Sequence, residues 1–183
     1  WVMNGSVGWA CAGVYIPPYF YRIYGDKRIL EENYGGMLRY ADFMIRRAGR
    51  WGGPYAKPMH LSHKNRKYAV NCGQSYGEWA EPEDVCAFKW YDFASPHPEE
   101  STAYTYFTLK RVLEVADILG KKADKRLARI REYSEGAKRA YRELVTKKAH
   151  TLDTDRQAKL VRPLYMGLLT KEQEEFAKNR LIK

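Results

Sequence analysis

Apolar positions recur at helical spacing through most of the chain, in paired segments separated by short turns. Apolar and aromatic residues run from about residue 9 to Tyr24 and stop at Gly25-Asp26. They resume with Leu30, Tyr34, Met37, Leu38, Ala41 and Ile45, which share one face of a helix over about 29–48. The short turn predicts an antiparallel hairpin over about 9–48. A second hairpin is predicted over about 101–146. Leu109, Val112, Leu113, Ala116 and Leu119 mark its first helix, with Ser101 or Thr102 as cap and Gly120 as stop. Leu127, Ile130, Ala137, Tyr141 and Leu144 mark its second. A third hairpin over about 154–183 pairs Asp155–Met166, ended by Gly167, with Lys171–Leu181; Thr170 and Gln173 form a capping box for the last helix. Only residues 68–71 and 85–88 read as short strands. The fold class is all-α.

Between the first two hairpins lies a non-periodic region of about 49–99, crowded with Gly, Pro, Trp, Tyr and His. So long a loop inside a compact domain is usually functional or disordered. Its aromatic content argues against disorder, which is normally poor in such residues. The hairpins share no sequence period, which argues against a TPR or HEAT solenoid. Pro17 and Pro18, in the middle of the first helix, predict a kink or break there.

The chain has 183 residues, 45% of them hydrophobic, with no apolar run near the length of a membrane span. No basic n-region followed by an apolar h-region opens it. It begins at Trp1 and enters a motif almost at once, so it reads as a piece of a longer polypeptide whose compartment stays open. Cys11, Cys72 and Cys86 are odd in number and widely spaced, without the pattern of a disulfide framework or zinc site. His60 and His63 stand three apart among Lys and Asn with no carboxylate nearby, and a solvated loop is the simpler reading. No metal and no cofactor is expected. The net charge of +10 raises a polyanion partner. Much of the excess sits in Lys64-Asn65-Arg66-Lys67 and in the block Lys121-Lys122, Lys125-Arg126, Arg129 and Arg131. The second block alternates with Leu127 and Ile130, as the wet face of an amphipathic helix does. Neither nucleic acid nor membrane is expected as a partner.

Trp9, Trp51, Trp79 and Trp90 stand in or beside glycine-rich or acidic loops rather than within the periodic faces. Indole faces stack on the C–H faces of sugars while neighbouring carboxylates and amides bind hydroxyls, so loop aromatics with acids suit a carbohydrate. Plugging the end of a helix pair is the structural alternative for each. Glu78, Glu81, Glu83 and Asp84 surround Trp79. Glycosidases set two carboxylic groups across the scissile bond, and such a pair normally comes from different loops; hydroxyl binding by Glu78 fits better than proton transfer. Glu31 and Glu32 suit the N-terminal end of a helix. Nucleophile elbows, phosphate loops and dinucleotide fingerprints are absent.

"GSVGWACAGVYIPPYFYRIYGDKRILEENYGGMLRYADFM" resembles the catalytic-domain segment of glycoside hydrolase family 78, the α-L-rhamnosidases. "YGEWAEP", "STAYTYFTLKRVLEVADILGK" and "DTDRQAKLVRPLYMGLLTKEQ" are similar to later family segments in the same order. The resemblance implies half of an (α/α)6 toroid, three hairpins of six, from an inverting hydrolase that releases terminal α-L-rhamnose. It implies that Trp9 and Trp79 line the rhamnose pocket, with Glu78 beside the latter. It also places the general acid upstream and the general base downstream, so no catalytic residue and no hydrolysis are expected of these 183 residues alone. Cys11 stands where the family has an acid. The alternatives are a non-catalytic carbohydrate-binding or scaffold relative, and a basic helical module for a polyanion. Half a toroid leaves an apolar edge, so the remainder of the domain, or self-association, is the expected partner besides the carbohydrate.

Overall fold

The structure, a computed structural model, describes residues 7–50, 52–53, 56, 58–73, 75, 96–152 and 154–182. Seven helices occupy them: α1 (Ala12–Tyr24), α2 (Arg28–Arg47), the short α3 (His63–Arg66), α4 (Pro98–Ile118), α5 (Arg126–Val145), α6 (Gln157–Met166) and α7 (Lys171–Leu181). No strand occurs among the described residues, and none of their helices is long and apolar enough to cross a membrane.

Three antiparallel pairs, α1–α2, α4–α5 and α6–α7, follow one another. Gly25 closes α1 in the left-handed region (φ 72°), where a side chain would be strained, and its amide returns to the Tyr21 carbonyl at 2.8 Å. Gly167 ends α6 the same way (φ 71°). α7 starts on a complete capping box: Gln173 N donates to Thr170 Oγ1 at 3.3 Å, and Thr170 N donates to Gln173 Oε1 at 3.1 Å. Asp26 and Asp124 accept from the amides of Arg28 and Arg126, at 2.9 and 3.0 Å, to open α2 and α5.

Several starts differ from the sequence pattern. α1 begins at Ala12 rather than residue 9, because residues 7–10 form a turn in which Gly8 takes φ 82°. α4 begins at Pro98, ahead of the expected caps Ser101 and Thr102. Those hydroxyls are buried inside the helix, and Thr102 Oγ1 accepts from Val70 N at 3.0 Å. That bond also bears on the strand expected at 68–71, which does not form: the segment is strapped to the N-terminal turn of α4 instead of joining a ladder. The strand expected at 85–88 lies outside the described residues. α6 begins at Gln157, and Asp155 instead accepts from Arg180 Nε at 2.7 Å. The region after α2 carries its own helical turn, α3.

α4 is buried on nearly every side and joins two cores. Leu109, Val112 and Val115 pack with Val14, Leu30, Leu38 and Ile130; Ala103, Tyr106 and Phe107 pack with Tyr141, Leu160 and Leu168. Each fully buried leucine or isoleucine contributes about 1.5–3 kcal/mol. α1 stays helical through both prolines, with Pro17 buried against the core. They remove the amides that would meet the carbonyls of Gly13 and Val14, so packing rather than backbone bonding holds this turn. Exposed large apolar side chains among the described residues fall at Trp9, on α1 (Ile16, Tyr19, Phe20, Ile23, Tyr24), on α6 (Val161, Tyr165) and at Leu181 and Ile182; the middle pair carries none.

Candidate functional site

The first helix of each pair faces a common concavity of about 1060 Å³, and the second stands behind it. α1 contributes Tyr15, Pro18 and Tyr19; α4 contributes Glu100, Tyr104, Phe107 and Arg111; α6 contributes Arg162 and Tyr165. A line of rings crosses the three helices. Tyr15 lies 5.3 Å from Phe107, and Phe107 lies 5.6 Å from Tyr165, both tilted. The Arg111 guanidinium sits 4.6 Å over Phe107 and donates to Glu114 at 2.6 Å. The two prolines thus differ, Pro17 being buried and Pro18 lining the concavity.

Trp9 stands on the lip at the N-terminal end of α1, 63% exposed, and with Gly8 and Val7 lines the same concavity. Such exposure is a poor use of an indole as a core plug. Gly8 shapes the turn that carries it, since its φ of 82° lies in the left-handed region that suits glycine. Trp79 and Glu78, the other two expected site residues, lie outside the described residues, as do Trp51, Trp90 and the acids Glu81, Glu83 and Asp84.

The polar pole of the concavity is the first turn of α4. Glu100 is buried and accepts from the Ser75 hydroxyl. Its neighbour Glu99 takes Arg162, whose Nη1 donates to both carboxylate oxygens at 3.0 Å, and Tyr141, whose hydroxyl donates at 2.8 Å. Burial pushes the Arg162 guanidinium down to about 10. Among the described residues Glu100 is the sole carboxylate lining the concavity. It can accept hydroxyl donors, while the ring faces can take C–H surfaces.

Cys11, where an acid was expected, is buried and stands at the N-cap of α1 without a side-chain capping bond to a backbone amide. Burial raises its thiol, with the negative Glu100 adding to the effect; bonds involving Tyr15 and the backbone oppose it. Tyr15 bridges Cys11 to Thr108, its hydroxyl 3.1 Å from Thr108 Oγ1, and burial raises that phenol strongly. Position 11 therefore faces the α1–α4 interface and is not among the residues lining the concavity.

Glu100, Arg162 and the ring line escape a sequence reading. The signal present was polar residues in a helix with no wet face: Ser101, Thr102, Thr105 and Thr108 are all buried in α4. His60 and His63 are exposed, and no group of three or more metal-binding side chains occurs among the described residues. Lys121, Lys122, Lys125, Arg126, Arg129 and Arg131 are exposed while Leu127 and Ile130 are buried, as an amphipathic reading requires.

Over residues 1–183 the chain matches the family model described as the bacterial alpha-L-rhamnosidase 6 hairpin glycosidase domain. Among solved structures it is similar to the alpha-L-rhamnosidase of Dictyoglumus thermophilum, at 23% identity and TM-score 0.71, covering 100% of this chain and 18% of that one. It is similar at 21% identity and TM-score 0.70 to the Streptomyces avermitilis alpha-L-rhamnosidase complexed with L-rhamnose, covering 98% of this chain and 14% of the other. The Aspergillus terreus alfa-L-rhamnosidase matches at 21% identity and TM-score 0.68, covering 98% and 19%. At these identities the likeness is one of fold. The chain spans less than a fifth of the length of each. No match was found among curated proteins.

Proposed function

The chain belongs to the bacterial α-L-rhamnosidase six-hairpin glycosidase domain family, and on that footing we propose that its concavity forms part of the pocket for a terminal α-L-rhamnosyl residue. The observation that carries the reading is Trp9, two-thirds exposed on the lip of a wall whose aromatic rings alternate with one buried carboxylate. Trp9 takes the apolar face of the sugar and Glu100 accepts its hydroxyls; Trp79 and Glu78 belong to the same pocket in this reading. The reaction served is hydrolysis of rhamnosides with inversion, which needs a general acid and a general base on opposite sides of the bond. Neither is assigned within these 183 residues. The chain by itself therefore binds and does not turn over, and the remaining hairpins, from the rest of the domain or a second copy, cover the apolar ends of α1 and α6.

Titration of L-rhamnose against the 183-residue protein, followed by tryptophan fluorescence and ligand-observed NMR, tests this. Saturable binding weakened at least about tenfold in Trp9→Ala, with melting temperature unchanged, is the expected result. Equal binding of L-rhamnose and D-glucose, or binding indifferent to Trp9, contradicts it. Release of the aryl group from an aryl α-L-rhamnoside above blank would overturn the assignment of no turnover. A non-catalytic sugar-binding relative differs in that the protein extended through all six hairpins also fails to hydrolyse the rhamnoside.

A further inference from the structure

A second groove, of about 650 Å³, lies away from the concavity where α3 rests on α5. His63, Lys64, Arg66, Lys67 and Arg139 line it with Gly49, Asn65 and Tyr68, and among the described residues no carboxylate does. The basic side chains are exposed. The spacing of two of them, Lys67 and Arg139, is set from beneath by one ring. Tyr68 is only 6% exposed; Lys67 Nζ sits 4.5 Å and the Arg139 guanidinium 5.6 Å from its centroid. The ring is fixed in turn by an edge contact with Tyr133 at 5.2 Å and by its hydroxyl, which donates to Glu132 at 2.8 Å. Glu132 also pairs with Lys67 at 3.2 Å, so that cation is partly neutralised. The backbone beneath is tied down as well, since Glu143 accepts from Asn65 and from the amide and hydroxyl of Ser62.

We propose that this groove binds an anionic polysaccharide, one whose sugars carry carboxylates. Cations held at fixed spacing lose less freedom on meeting a row of carboxylates than free lysines would. Among the described residues the groove's one aromatic ring is buried under its cations and offers no face for a base to stack on, unlike the platforms that hold single-stranded nucleic acid. The choice of a glycan rests on the sugar-binding reading of the chain. The two fail separately: rhamnose titration reports on the concavity and polyanion retention on this groove.

Affinity electrophoresis of the 183-residue protein through polygalacturonate at low ionic strength is the test, with dextran as the neutral control and duplex DNA as the competing polyanion. The expected result is retention by polygalacturonate alone, reduced about tenfold by Lys64→Glu with Arg139→Glu and reversed by salt. The double variant Lys121→Glu with Lys122→Glu changes net charge equally at a different place and is expected to leave most retention intact. Lys64→Gln with Arg139→Gln repeats the measurement with a smaller charge change, should the reversal unfold the protein. Equal loss from both charge-reversal pairs, no retention at low salt, or tighter binding of DNA than polygalacturonate each overturns the proposal.

Discussion

Gly136 of α5 lies directly beneath the ring of Tyr68, so close that a Cβ built on it would overlap the ring carbons. This absence of a side chain lets the segment after α3 seat against the outer helix. Gly136→Ala is expected to lower stability by about 1–3 kcal/mol through overpacking, against about 1 kcal/mol gained from helix propensity. Gly35→Ala in α2, where the new Cβ would meet only the Arg39 guanidinium at 3.6 Å, is expected to be neutral or stabilising. Urea melts of the two variants check the contrast.

Glu143 couples the fold to acid. Burial raises its carboxyl, but the bonds from Asn65 and Ser62 outweigh this and hold it below the ordinary 4.5. A carboxylate with a depressed folded value contributes stability that is present above its unfolded value and lost as the pH falls through 4.5 and below. Glu143→Gln is expected to be less stable at neutral pH and to lose less on acidification. Thermal melts from pH 7 to pH 3 show whether the two curves converge at the acid end.

Gln173 does more than close the cap of α7. It is buried, and its Nε2 also donates to Thr146 Oγ1 at 2.7 Å, joining the start of α7 to the end of α5. Thr170→Ala is expected to cost about 1 kcal/mol, the ordinary value of a cap. Gln173→Ala is expected to cost more, because Thr146 loses a partner and a cavity opens. Equal midpoints in denaturant would sink the distinction.

Cys11 is expected to resist alkylation in the folded protein. Its burial both shields the thiol and raises its pKa, so little thiolate forms at neutral pH. Cys72 is half-buried and donates to the Arg47 carbonyl at 3.2 Å. Iodoacetamide labelling with peptide mass mapping should modify Cys72 before Cys11, and Cys11 only on unfolding.

Helical spacing made most of the fold legible. The apolar faces of α2 and α5 and the capping box of α7 are local features, written within a few residues of one another. The start of α4 was not legible, because Ser101 and Thr102 look like caps until the fold brings Val70 to the Thr102 hydroxyl. The same holds for the concavity. Trp9 announces itself by standing among glycines, whereas Glu100 and Arg162 are 62 residues apart in sequence and become neighbours of one wall only when α6 packs on α4. Cys11 takes the position of the family's acid, and its burial, which depends on the packing of α4 against α1, is likewise not written in its neighbours.

Because α4 touches the hairpin on either side while α6–α7, among the described residues, is held from one side only, resistance to local opening is graded along the molecule. Amide hydrogens should exchange most slowly in α4 and most quickly in α7, and a protease meeting the native protein should trim it from the α6–α7 end while the central pair survives.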